Sequence, residues 1–254
     1  MLSILPNIEL SSREYDYLIN FDNCYDFGSE AGIIRDEGRY AIKIFRKDFG
    51  QWDKNADEIE EIRENKLQKL ILLYGMKDFD NRLKPINTFS YNGRIVGYRE
   101  IFLECQTLFG TFLTTSEKKY YLKLIREKLD IFHKLGIVYG DVNGSNIFID
   151  ERNEEVVFCD IDNMKVLDCP SDMVNDLATE FLDCYGIVDE KLDSYMMNLL
   201  TLEQFGFECD DNILGALKIK EIPKMLENDK NKRLLKEMSC VRKSYSGGYL
   251  IDNL

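Results

Sequence analysis

The chain has a single histidine among its 254 residues, and none of its seven cysteines stands in a Cys-x-x-Cys pair. The cysteines are scattered (24, 105, 159, 169, 184, 209 and 240) and odd in number. A disulfide framework needs paired thiols and a structural zinc site needs clustered thiolates and imidazoles, so the pattern argues against both. Several of the cysteines lie in apolar stretches, where a free thiol behaves as a small hydrophobe. A reducing compartment, the cytoplasm by default, is therefore expected. No apolar run approaches the roughly 20 residues that a membrane-spanning helix needs. The first residues, Met1 to Pro6, lack both a basic start and a long apolar core, so no signal peptide is expected. An excess of basic charge is missing as well. The net charge of -13 makes nucleic acid and anionic membranes poor partners. Internal repeats and low-complexity segments are also lacking.

What is present is an ordinary hydrophobic share, 44%, and length enough for one large domain or two lobes with real cores. Residues 1–20 carry no firm pattern. From Asn23 the chain reads as strands: Cys24 to Phe27, a Gly-bearing stretch from Gly28 to Gly32, then Ile33 to Arg35. A turn at Asp36 to Arg39 leads into Tyr40 to Phe45. Lys43 stands in the middle of that last apolar strand, where a lysine must snorkel or find an anion. Residues 53–74 read as a helix from Ile59, Ile62, Leu67, Leu70, Ile71 and Tyr74. Its acids gather toward the N-terminal half, where they suit the helix dipole. Glu64, beside the apolar stripe, is the first choice for an inward partner of Lys43, with Glu60 and Glu61 as alternatives. Two strands follow, Pro85 to Tyr91 and Arg94 to Phe102, joined at Asn92-Gly93.

Residues 106–113 have a short helical look. The boundary between two lobes is placed near residues 101–105, giving lobes of residues 1–102 and 103–254 that are expected to share a cleft. Thr115 or Ser116 can cap a helix that runs to Leu135 and stops at Gly136. Beyond Val166 the chain reads as helical at residues 171–186, 189–206, 210–219 and 222–241, with a loose polar end at Ser244 to Gly248.

The chemistry gathers in the stretch from Tyr139 to Asp162. Asp141 is followed five residues later by Asn146, then by an apolar run, a turn, a second apolar run, and Asp160-Ile-Asp162. Acids at strand ends beside an amide suit oxygen ligation of a hard divalent cation, with one further acid as a base for a hydroxyl.

This ordered set resembles the protein kinase-like superfamily. Ala41-Ile-Lys43 is similar to its third-strand lysine motif. Phe132 to Asp141 looks like the end of its long second-lobe helix and its catalytic loop. Asp141 and Asn146 have its five-residue spacing, and Asp160 sits where its metal-binding aspartate is expected. The resemblance implies an α+β, bilobal kinase-like fold: a small antiparallel sheet with one long helix, and a mostly helical second lobe. It implies ATP and Mg²⁺ (or Mn²⁺) as cofactors and a hydroxyl-bearing acceptor, protein or small molecule, for the γ-phosphoryl. Gly28 and Gly32 would cover the phosphates. Lys43 would hold them and pair with Glu64. Backbone near Arg99 to Phe102, including Glu100 and Phe102, would meet the adenine. Asp141 would act as base, with Asn143 beside it. Asn146, Asp160 and Asp162 would bind the metal. His133 would be structural.

The departures carry their own implications. Tyr139 and Gly140 replace the family's His and Arg, which removes the usual pocket for an activation-loop phosphate. Asn143 replaces a common Lys, removing a positive charge near the transferred phosphoryl and implying slow turnover. Asp-Ile-Asp162 replaces Asp-Phe-Gly, and the combined pattern resembles a group of divergent bacterial protein kinase-like proteins. The family's buried helical Asp would be Asp172 or Asp176. No Ala-Pro-Glu follows, which weakens the case for a protein acceptor. Two other readings stay open: a pseudokinase that binds nucleotide or scaffolds without transfer, and transfer of AMP in place of phosphate.

Overall fold

The computed structural model describes residues 4–27, 30–47, 54–171, 181–182, 188–206, 228–238, 245 and 247–254. Gly28, Asp172, Asp176 and the helices expected at 171–186 and 210–219 lie wholly or mostly outside them. The fold is α+β, and by its internal contacts the chain divides into Met1–Glu104 and Cys105–Leu254.

The first unit is built on a mixed six-stranded sheet. Its strands are β1 (Asn7–Glu9), β2 (Asp26–Phe27), β3 (Ala31–Asp36), β4 (Tyr40–Phe45), β5 (Asn87–Tyr91) and β6 (Arg94–Ile101), in the order β1-β5-β6-β4-β3-β2. Every neighbouring pair is antiparallel except β1 with β5. The Asn92-Gly93 hairpin turn has positive φ at both residues, 52° and 74°, as its sequence requires. Alternation along β4 sends Ile42 and Ile44 to one face, where they bury with Ile34, Phe89 and Val96 against Leu10 and Leu18. Leu18 belongs to α1 (Ser12–Leu18), so this short helix closes that side of the sheet.

Neither β1 nor α1 was assigned from the sequence. The helix had a readable start, because Ser11 and Glu14 form a reciprocal capping box. Strand β1 is only three residues long and finds its partner some eighty residues away, so no local pattern marks it.

The other sheet face carries Lys43 and Phe45, with the Phe45 and Tyr98 ring centres 6.0 Å apart. Helix α2 (Ala56–Gly75) lies on this side: its Lys66 ammonium is 5.6 Å from the centre of the Phe45 ring. Asn55 caps it, with Glu58 completing a capping box.

Gly97 permits the close approach of β6 to β4. A Cβ there would stand 2.3 Å from the Lys43 carbonyl oxygen and 3.2 Å from the Ile44 Cα. Both are backbone atoms of the neighbouring strand and cannot swing aside. Gly97→Ala is therefore expected to cost about 3 kcal/mol of stability through overpacking. Urea unfolding measures it, and a loss below about 1 kcal/mol would show that the strands can separate to admit a methyl group.

In the second unit, β7 (Gln106–Thr107), β9 (Ile147–Asp150) and β10 (Glu155–Phe158) form an antiparallel sheet of order β10-β9-β7, while β8 (Ile137–Val138) pairs with β11 (Lys165–Val166). The helical look of residues 106–113 is corrected. Gln106 and Thr107 pair with β9, and Thr107 then anchors a turn, its carbonyl accepting from the Gly110 N–H and the Thr111 hydroxyl. Non-local pairing with β9 overrides the local pattern.

Helix α3 (Thr115–Lys134) is capped by Thr114, one residue before the expected cap, in a box with Glu117. It buries Leu122, Ile125, Leu129 and Phe132, and the Phe132 ring meets Phe158 edge-on at 5.2 Å. Helices α4 (Glu190–Gln204) and α5 (Asp229–Met238) follow. The expected loose end is also corrected for its described residues. Tyr245 is buried, its hydroxyl accepts from the Asn198 amide at 2.9 Å, and the Asn198 side-chain oxygen accepts from the Leu250 N–H at 2.7 Å. Buried polar partners on α4 hold Tyr245, Gly248 and Leu250. Among the described residues, no helix is long and apolar enough to cross a membrane.

Candidate functional site

The loop between β8 and β9 brings Asp141, Asn143 and Asn146 together. The Asp141 carboxylate accepts one amide N–H on each oxygen, from Asn143 at 2.8 Å and from Asn146 at 2.6 Å. The Asn143 side-chain oxygen in turn accepts the backbone N–H groups of Ser145 (2.9 Å) and Asn146 (3.1 Å). Asn143 is thus the organiser of the loop, an Asx turn that holds both the backbone and the acid. The two amides take one site on each oxygen, which fixes the rotamer of the carboxylate.

The β9–β10 hairpin sets the position of Asp160. The Cys159 N–H donates to the Asn146 carbonyl at 2.9 Å, one step beyond the Ile147–Phe158 pair. Asn146 and Cys159 are therefore opposite each other at the open end of the hairpin, and Asp160 is next. Asp160 sits in the left-handed region (φ 56°, ψ 43°), which Asp tolerates at a cost on the order of 1 kcal/mol. That turn drives the chain into a short 3₁₀ segment, Ile161–Asn163, all three of whose residues are buried. The two acids consequently differ. Asp160 is half-buried, whereas Asp162 is 0% exposed.

Tyr139 binds the two halves of this arrangement. Its ring packs at 4.7 Å on Phe158, and its hydroxyl donates to the Cys159 carbonyl at 2.8 Å. Burial, then the neighbouring Cys159, Asp141, Asp160 and Asp193, push its pKa well above the ordinary phenol value. It stays a neutral donor. Gly140 has φ 80°, a conformation that disfavours side chains. The chain needs glycine here for its backbone.

A residue that sequence reading missed holds the loop from beneath. Asp193, on α4, is 0% exposed. It accepts the Tyr139 N–H at 2.8 Å, the Gly140 N–H at 2.7 Å and His133 Nε2 at 2.8 Å. The signal was present: a lone acid inside the buried helical run from Leu192 to Leu202 needs a dedicated set of donors.

His133 is half-buried in this cluster. Burial alone would lower its pKa, but the hydrogen bond and charge of Asp193, with Glu190 and Asp130 adding to them, raise it above the ordinary value. A raised folded-state pKa stabilises the fold fully below about pH 6.5, and the contribution is lost as pH climbs through the raised value. As the only histidine, its imidazole resonances can be followed by NMR, and they are expected to titrate above about 6.5. A midpoint below that value would show that burial outweighs Asp193.

In the first unit, Lys43 is 3% exposed and faces Tyr98 across the β4–β6 ladder. Glu64 is exposed, and α2 turns Arg63, Lys66, Lys69, Leu70 and Leu73 inward instead. One ion pair from the buried side of α2 to the β3 end of the sheet joins Lys66 with Glu30, at 3.7 Å. Gly32 lies within β3, where a Cβ would fall 2.6 Å from the Cys24 sulfur. Glu100 is half-buried opposite Ala41. The Phe102 N–H donates to the Arg39 carbonyl at 2.9 Å, and its ring meets Tyr25 edge-on and the Arg35 guanidinium.

Asn146 and Asp160 supply hard oxygen donors at one end of one hairpin, and this fits Mg²⁺. That ion is commonly held by one or two carboxylates plus substrate phosphates and water, without an all-protein cage. Among the described residues, no group of three or more His, Cys, Asp or Glu side chains is arranged to hold a metal ion. Comparison of the chain with models of known protein families gave no match, and neither did a search of curated proteins.

Proposed function

We propose that the chain is an ATP- and Mg²⁺-dependent phosphotransferase of the protein kinase-like superfamily, passing the γ-phosphoryl group to a hydroxyl on a protein or small molecule. The observation that carries this reading is the Asp141 carboxylate, held on both oxygens by Asn143 and Asn146, with Asn146 also fixed by backbone beside Cys159 and Asp160. Asp141 takes the proton of the acceptor hydroxyl as its oxygen bonds to the γ-phosphorus and the bond to ADP breaks. Asn146 and Asp160 would hold Mg²⁺, whose charge would offset that of the phosphate oxygens. By the same resemblance, Lys43 would neutralise the α- and β-phosphates. Asn143 adds no positive charge, so turnover is slow.

A second reading, a pseudokinase that binds nucleotide without transfer, is favoured by the burial of Asp162, which leaves fewer metal donors. Incubation with γ-labelled ATP and Mg²⁺ against pools of proteins and metabolites separates the two. Label on an acceptor, or on the chain itself, is expected. Bound nucleotide with no transfer to any acceptor favours the second reading, and product masses separate phosphate from AMP transfer.

A further inference from the structure

Helix α2 buries three cations, Arg63, Lys66 and Lys69, in a chain whose net charge is -13. Lys66 has a buried acid beside it. Its side chain is 0% exposed, and its ammonium lies 3.7 Å from a carboxylate oxygen of Glu30, whose side chain is 7% exposed. Glu30 is itself fixed by backbone. Its carbonyl accepts the Arg46 N–H at 2.8 Å, one step beyond the Ala31–Phe45 pair of the β3–β4 ladder. The same ammonium stands 5.6 Å from the centre of the Phe45 ring, and Phe45 shares its sheet face with Lys43, two residues earlier. In sequence, Glu30 falls inside the Gly28 to Gly32 stretch.

We propose that Glu30 and Lys66 are positioning residues for nucleotide binding. Their buried pair sets the register of α2 against the sheet face that carries Lys43 and fixes the Glu30 to Gly32 end of the glycine stretch. The polarity is the reverse of the expected one, with the acid just before β3 and the base on the helix. This inference rests on the ATP reading above.

Stability is a weak reason for such a pair. Taking both charges out of water costs several kcal/mol per ion, and well-packed apolar replacements are often neutral or stabilising. A buried pair does supply register. Buried apolar side chains such as Leu70 and Leu73 pack without direction and tolerate a shifted helix, whereas one ammonium must meet one carboxylate.

The test measures binding of a non-hydrolysable ATP analogue with Mg²⁺ by calorimetry, beside urea stability. The proteins are the wild type, Glu30→Gln, Lys66→Met, the double variant Glu30→Leu with Lys66→Met, and the milder Glu30→Asp. The single variants are expected to lose stability and the double variant to recover most of it, while Kd stays raised at least tenfold in all three. Glu30→Asp, which keeps the charge but shortens the reach, folds and is expected to bind several-fold more weakly than wild type. Wild-type affinity in the folded double variant, or in Glu30→Asp should the double variant not fold, overturns the positioning role and leaves the ATP reading standing. A wild-type protein that binds no nucleotide overturns the ATP reading, and this inference with it.

Discussion

Asp141→Asn is expected to lower the rate of phosphoryl transfer by about a hundred- to ten-thousand-fold, the range for loss of a positioned general base. ATP affinity should change little, because in the proposed reaction the substituted group acts on the acceptor's proton. The local geometry sharpens the expectation. Both oxygens of Asp141 accept amide N–H groups from Asn143 and Asn146. A carboxamide in its place can accept on one side only and turns an N–H toward a donor on the other, so the loop loses a base and one of its two clasps. Steady-state kinetics with a separate binding measurement reads this as a fall in kcat at nearly constant Kd. Transfer at the wild-type rate would remove Asp141 from the chemistry.

Asp193→Asn has the largest expected effect on the fold. The carboxylate takes two backbone N–H groups and the His133 imidazole while fully buried. An amide in its place satisfies at most part of this set and brings its own N–H against another donor. Loss of one partner from a buried, hydrogen-bonded charge network costs roughly 3–5 kcal/mol, and each stranded donor carries about 1–3 kcal/mol of that. Urea unfolding measures the total. Amide exchange at Tyr139 and Gly140 localises it: those two N–H groups should lose protection beyond what the global loss explains. A change below about 0.5 kcal/mol would mean that the loop supports itself.

Much of the layout was legible from periodicity. Strands β3 to β6 and helices α2 and α3 follow alternation or three- and four-residue spacing, and α3 stops at Gly136, whose φ is 75°. In the loop, the acid and amides were legible because they lie within six residues of one another. Asp193 was legible only as a lone acid in an apolar run; its partners were not, because its donors are more than fifty positions away and no local pattern announces a partner at that distance.

The inward face of α2 was misread for a different reason. Ile71 was counted in the apolar stripe, yet it is exposed, whereas Lys66 and Lys69 are fully buried. Long lysine stems are apolar over most of their length and can cover a sheet as leucine does. A stripe drawn from aliphatic residues alone therefore leaned to the wrong side and brought Glu64 with it. The length of β1 hid it, and pairing with β9 overrode the local tendency of residues 106–113.

The most direct measurement is calorimetric binding of a non-hydrolysable ATP analogue to the wild type and to Asp160→Ala, each with and without Mg²⁺. The account predicts saturable binding to the wild type that Mg²⁺ tightens, and binding to Asp160→Ala that Mg²⁺ no longer tightens. No nucleotide binding by the wild type at any Mg²⁺ concentration, or the same Mg²⁺ dependence in both proteins, would contradict it.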